Sequence, residues 1–121
     1  MVTSVMLVDD SLFMRNMLRN ILDDAGYIIV AEAIDGNEAI EKYKHFRPDI
    51  TIMDIVMPAK NGMDALNEII AFADTAKVVM CSAVSQEQLM MTAQKAGARD
   101  FILKPFNPEW VKTVIKRVAE A

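Results

Sequence analysis

Ile50-Thr51-Ile52-Met53-Asp54 is the stretch on which the fold turns: four apolar or β-branched residues in a row, ending on an acid. A run this short and this continuously apolar reads as a strand covered on both faces, as in parallel sheets. Four other stretches share its character: Val5-Met6-Leu7-Val8, Ile28-Ile29-Val30-Ala31, Val78-Val79-Met80-Cys81 and Phe101-Ile102-Leu103. Between them, apolar residues recur at helical spacing. Met14, Met17, Leu18, Ile21, Leu22 and Ala25 follow the 3.6-residue period, and Gly26 then offers a stop. Leu66, Ile69 and Ile70 mark another helix, with a weaker start near Asn61-Gly62. Leu89, Ala93 and Ala96 give a narrow stripe ended by Gly97. Val111, Val114, Ile115 and Val118 form the last helix, opened by Asn107 as N-cap and Pro108 at the first helical position. Asp35 with Glu38, and Ser85 with Gln88, have capping-box spacing.

Five strand–helix units in strict alternation predict an α/β fold. The sheet is five-stranded and mostly parallel, with helices on both faces, because a parallel crossover needs a helix. A length of 121 residues, 53% hydrophobic and 25% charged, suits one packed domain spanning 1–121, with no output domain after the last helix. The net charge of −4 argues against a general nucleic-acid binder. Cys81 is the lone cysteine, so no internal disulfide forms, and it reads as an inert buried thiol. Met1-Val2-Thr3-Ser4 lacks the start of a signal peptide, and no apolar run is long enough to span a bilayer. A cytoplasmic monomer without nucleic-acid or membrane partners is the expectation.

Placed on this frame, the polar residues converge. Asp9 and Asp10 end the first strand, Asp54 the third, Ser82 the fourth and Lys104 the fifth. All five fall at the carboxyl edge of the sheet, where open α/β folds bind ligands. The second strand ends in Glu32-Ala33 and contributes nothing evident. Three carboxylates in one small volume cannot all stay ionised unaided, and a hard divalent cation bound through oxygen is the economical help. With Lys104 and Ser82 opposite, the site becomes phosphate-sized, and Asp54 is the candidate nucleophile for phosphoryl transfer. Asp9 also sits where it could cap the helix that starts at Leu12. His45, the one histidine, reads as a surface residue, and Lys112, Lys116 and Arg117 give the last helix a basic side.

Over its whole length the chain resembles a CheY-type receiver domain of a response regulator. The stretches that carry the likeness are Leu7-Val8-Asp9-Asp10, Met53-Asp54-Ile55-Val56-Met57-Pro58, Asn61-Gly62, Cys81-Ser82-Ala83, Ala96-Gly97-Ala98 and Lys104-Pro105-Phe106. Phe13-Met14-Arg15 and Glu41-Lys42-Tyr43-Lys44 resemble the stand-alone chemotaxis regulators in particular. The resemblance, not the residue pattern, implies the flavodoxin-like strand order 2-1-3-4-5 known for CheY. It implies Asp54 as phosphoacceptor and a Mg²⁺ held by Asp10 and Asp54 directly, by Asp9 through water and by the Val56 backbone carbonyl. It implies that Lys104 contacts the phosphoryl group through a cis Lys104–Pro105 bond, and that Ser82 and Phe101 form the switch. Phosphorylation would then remodel the surface of the fourth helix, fifth strand and fifth helix.

The resemblance further implies a histidine kinase as phosphodonor and, in chemotaxis, the flagellar motor switch as partner. Val56 and Val84 lie two residues beyond Asp54 and Ser82, and neither side chain can hydrogen-bond an attacking water. Slow self-dephosphorylation and reliance on a separate phosphatase are expected. The chain is thus expected to be a signalling phosphoacceptor and not an enzyme acting on external substrates. Two other functions fit less well: a phosphorelay component or receiver of a non-chemotaxis pathway, and a Mg²⁺-dependent phosphohydrolase. The last would want a second acid two residues after Asp54, where Val56 stands.

Overall fold

Side chains alternate in direction along a strand, and here the alternation divides the core in two. In the computed structural model, which describes residues 2–83 and 87–121, five strand–helix units succeed one another. They are β1 (Ser4–Val8), α1 (Leu12–Asp24), β2 (Ile28–Ala33), α2 (Gly36–Phe46), β3 (Ile50–Asp54), α3 (Gly62–Phe72), β4 (Val78–Ala83), α4 (Glu87–Ala96), β5 (Asp100–Lys104) and α5 (Pro108–Glu120). The strands form one parallel sheet in the order β2-β1-β3-β4-β5. Val5, Leu7, Ile50, Ile52, Val79, Cys81 and Ile102 face α1 and α5, meeting Leu18, Leu22, Val111, Val114, Ile115 and Val118. Met6, Val8, Met53, Val78 and Met80 face the other way, onto Tyr43, Leu66, Ile69 and Ala93 of α2, α3 and α4. Among the described residues no helix is long and apolar enough to cross a membrane.

The caps form as the side-chain chemistry dictates. Asp35 accepts from the Glu38 amide at 2.9 Å, and Asn107 accepts from the Trp110 amide at 3.1 Å. The weak start near Asn61-Gly62 is a full cap, with Asn61 accepting from the Asp64 amide at 2.9 Å. Ser85, half of the other expected capping box, lies outside the described residues. Two expectations need correction. The helix from Leu12 is capped by Ser11, whose hydroxyl takes the Met14 amide at 3.2 Å, while Asp9 accepts the Ser11 amide at 2.9 Å. Strands β2 and β5 are not covered on both faces: Ile28 is 51% and Leu103 40% exposed. They are the edges of the sheet, and an apolar run does not reveal which strand will be an edge. The second strand ends at Ala33, as read from the sequence, and so carries Glu32 in the sheet.

The loop between β3 and α3 is held against the sheet end by a glycine. A Cβ on Gly62 would stand 2.0 Å from the Asp54 carbonyl oxygen, closer than non-bonded carbon and oxygen can approach. Gly26, by contrast, has a φ of +90° with open space around it. Gly62→Ala is therefore expected to destabilise the fold by about 3 kcal/mol, the upper range for overpacking. Gly26→Ala should lose only the left-handed backbone cost of about 1–2 kcal/mol. Urea unfolding of both variants checks this, and equal losses would remove the close approach as the reason for Gly62.

Candidate metal and phosphoryl site

Strand order decides which chain ends meet. β1 and β3 are neighbours, with Val8 beside Met53, so Asp9 and Asp54 emerge side by side. This is also where the order reverses, β2 lying on one side of β1 and β3 on the other, the switch point at which such sheets bind ligands. Asp9 and Asp54 are buried, Asp10 is exposed, and each offers one oxygen within 4.8 Å of the others. Lys104 comes from β5, with β4 between it and Asp54. Two strand spacings are about 10 Å, a gap that only a long side chain bridges across the small β4 residues Ser82 and Ala83. Its Nζ lies 2.9 Å from Asp9 Oδ2 and 3.0 Å from Asp54 Oδ2. The Lys104–Pro105 bond is cis.

Four of the sequence-selected residues thus meet: Asp9, Asp10, Asp54 and Lys104. Ser82 is buried on β4, one register position before the Ala83–Lys104 pair, and its hydroxyl has no hydrogen-bond partner among the described residues. A buried hydroxyl without a partner costs free energy unless something else supplies one, which is notable beside a site built for oxygens. Val56 leaves the sheet and is 64% exposed. Phe101 lies half-buried on β5, beside a groove of about 340 Å³ that it lines with Met90, Met91 and Gln94. Val84 lies outside the described residues. His45 is exposed, as expected, and the basic side of α5 is partly spent: Lys112 binds Asp24 at 3.1 Å and Arg117 binds Asp100 at 2.6 Å.

The sequence did not point to Glu32, yet it is a centre of charge. Arg15 Nε donates to Glu32 Oε1 at 2.8 Å, Arg19 holds Oε2, and Lys42 donates to the Glu32 carbonyl at 2.5 Å. Arg15 also donates from Nη1 to the Asp9 carbonyl at 2.6 Å. The available signal was a lone acid in an apolar strand, with two arginines four residues apart on the preceding helix.

Burial, more than neighbouring charge, sets the electrostatics of the site. Burial raises Asp54 above its ordinary value; the Lys104 bond pulls it back only in part, and the Asp9 charge pushes it up again. Burial alone would lower Lys104, but its two carboxylate partners outweigh that and leave it raised. At Glu32, burial raises and the two arginines lower, and the arginines prevail. Burial pushes the Cys81 thiol up, so this cysteine next to Asp54 in the β3–β4 register stays protonated. Three oxygen-bearing acids suit a hard cation, which prefers an all-oxygen donor set.

Because Asp54 is raised in the fold, its ionisation costs stability once the pH exceeds its unfolded value, and the cost is complete above its folded value. In metal-free buffer at pH 7, Asp54→Asn should therefore stabilise the protein, by on the order of 1 kcal/mol, an ordinary size for a single substitution. The gain should vanish as the pH falls below the ordinary carboxylate range. Urea titrations at both pH values check it, and a loss at pH 7 would mean that the Lys104 bond outweighs the cost of burying the Asp54 charge.

Comparison with known proteins agrees with this geometry. Residues 5–116 match the response regulator receiver domain family. The chemotaxis protein CheY of Thermotoga maritima is 48% identical over 116 residues, covering 96% of this chain and 97% of that protein. CheY of Halobacterium salinarum is 46% identical over 121 residues, with both chains covered completely. Among solved structures, the CheX–CheY–BeF3–Mg²⁺ complex from Borrelia burgdorferi is similar with a TM-score of 0.93 and 37% identity, over 96% of this chain and 88% of that one. A paired acid turn, an acid at the end of β3 and a lysine reaching across the sheet are thus held on a receiver scaffold along nearly the full length, and the chain belongs to the response regulator receiver domain family as a CheY-like member.

Proposed function

We propose that the chain is a chemotaxis regulator that accepts a phosphoryl group on Asp54. The observation that carries this is the Lys104 ammonium bonded at once to Asp9 and Asp54, with Asp10 completing the acid cluster. Asp54 is the nucleophile, its carboxylate oxygen attacking phosphorus while the donor's leaving group departs, and the product is an acyl phosphate. Asp9, Asp10 and Asp54 would hold Mg²⁺, with the Val56 carbonyl as a further oxygen. The bound ion supplies charge neutralisation for the phosphoryl oxygens. Lys104 trades a carboxylate partner for one of those oxygens, a charge-assisted bond of similar strength. Ser82 brings an unspent hydroxyl from β4, and donating it to the phosphoryl group would relieve its unpartnered burial.

The signal then moves by population shift. A phosphoryl group adds up to about two negative charges, and drawing Ser82 toward it frees space for Phe101 to turn. Phe101 lines a groove with Met90, Met91 and Gln94, so turning its ring would reshape that surface, and methionines repack at little cost. Couplings of this kind are about 1–3 kcal/mol, which changes a partner's affinity roughly 5- to 150-fold. In this reading the chain is one receiver domain over 1–121, a cytoplasmic monomer charged by a histidine kinase and read by the flagellar motor switch. It has no external substrate. The Borrelia burgdorferi relative, solved with CheX, BeF3 and Mg²⁺, supports a role for a second protein at a phosphate-mimicking state. A separate phosphatase also follows from Val56, whose exposed apolar side chain cannot orient water.

Incubation with acetyl phosphate and Mg²⁺, followed by intact mass, should show a gain of one phosphoryl group, lost on chelation of the metal and in Asp54→Asn. Label that persists in Asp54→Asn would move the acceptor elsewhere. Val56→Asn should lose its acyl phosphate several-fold faster than the parent, since the amide can hold the attacking water. Equal decay rates would remove Val56 from the account. Binding to the motor switch protein with and without beryllium fluoride separates chemotaxis from another receiver pathway.

A further inference from the structure

Behind Asp9 stands a charged cluster that the phosphoryl chemistry does not use. Arg15 is nearly buried, its side chain 12% exposed, and its guanidinium spends two donors in different directions. One goes to Glu32 Oε1 at 2.8 Å and the other to the Asp9 carbonyl at 2.6 Å. Glu32 is itself fixed by Arg19 and, through its backbone carbonyl, by Lys42. A planar guanidinium held at two edges has a defined plane, which an ammonium could not provide.

The acceptor matters more than the ion pair. The Asp9 carbonyl belongs to the peptide that joins Asp9 to Asp10, and a peptide moves as a rigid plane. The remaining groups of Asp9 are already tied: its amide to Ala33 at 3.0 Å, Oδ1 to the Ser11 amide at 2.9 Å and Oδ2 to Lys104 at 2.9 Å. Rotation about that peptide would leave Asp9 in place and swing the exposed carboxylate of Asp10 away from the cluster. The Arg15 bond opposes this rotation.

We propose that Arg15, locked by Glu32 and Arg19, is a positioning residue that orients the Asp9–Asp10 peptide and so sets the acid spacing for the cation. This rests on the reading of the cluster as a Mg²⁺ and phosphoryl site. Among the described residues, Arg15 bonds to Glu32 and to the Asp9 carbonyl, and to none of the three carboxylates of the acid cluster. A plain structural staple between α1 and β2 would use the same ion pair, but it would act on stability alone.

The experiment separates these roles with Arg15→Met, Arg15→Lys and Glu32→Gln in the whole chain. Mg²⁺ affinity is read by calorimetry on the unphosphorylated protein, the Mg²⁺ dependence of phosphorylation with acetyl phosphate, and stability in urea. Arg15→Met should bind Mg²⁺ about 10-fold more weakly, the usual loss when a residue supporting metal ligands is removed. Half-maximal phosphorylation should need correspondingly more Mg²⁺, with the rate at saturating Mg²⁺ unchanged. Arg15→Lys should recover part of the affinity. Should Arg15→Met fail to fold, Glu32→Gln, of the same shape, carries the test and should show a smaller weakening. Folded variants with the parent's Mg²⁺ affinity would overturn the positioning role and leave the phosphoacceptor reading standing. A parent that binds no Mg²⁺, or an Asp10→Asn variant that binds it equally well, would overturn both.

Discussion

One ammonium reaching across β4 to a pair of buried acids is the constraint around which this molecule is arranged. Lys104 can touch Asp9 and Asp54 together only if β1 and β3 are adjacent, if β4 ends in small residues beneath its path, and if β5 stops at that height. The close approach at Gly62 and the tied amide of Asp9 serve the same end, for each fixes the backbone from which an acid projects. The two apolar layers then hold the sheet that keeps these chain ends in register.

The cluster is also a local excess of negative charge. Three carboxylates face one ammonium, so part of the repulsion is left for a cation to remove. An arrangement of this kind is less stable than it need be without its ligand, and that cost is a familiar companion of sites that await one. The same imbalance makes the site responsive, because a change in charge at Asp54 alters the hold on Lys104. Ser82 adds a second source of response: a buried hydroxyl with no partner among the described residues gains from any acceptor that arrives. On the next strand, Phe101 borders the methionine-lined groove beside α4.

Much of this could be read from the residues. The apolar runs and the 3.6-residue stripes located the five strands and four of the helices, because burial on one or both faces leaves a periodic trace, while the second helix showed itself only through the Asp35–Glu38 cap spacing. Asp35 and Asn107 declared their helices through cap chemistry. Ser11 did not stand out from two acids beside it, since a cap depends on which side chain reaches the third amide, a matter of a single turn's geometry. The edges were also hidden: the runs in β2 and β5 are as apolar as those in the centre, yet Ile28 and Leu103 meet solvent.

The sequence by itself determined an alternating α/β chain with acids, a hydroxyl and a lysine at strand ends, because local periodicity and the polarity of single positions are properties of short stretches. Only the tertiary structure decided that Lys104 lies within 3.0 Å of two acids from other strands, and that Glu32 gathers two arginines behind Asp9. Those contacts depend on strand order and on the direction of side chains from different elements, and no stretch of sequence contains the distance between its neighbours in space.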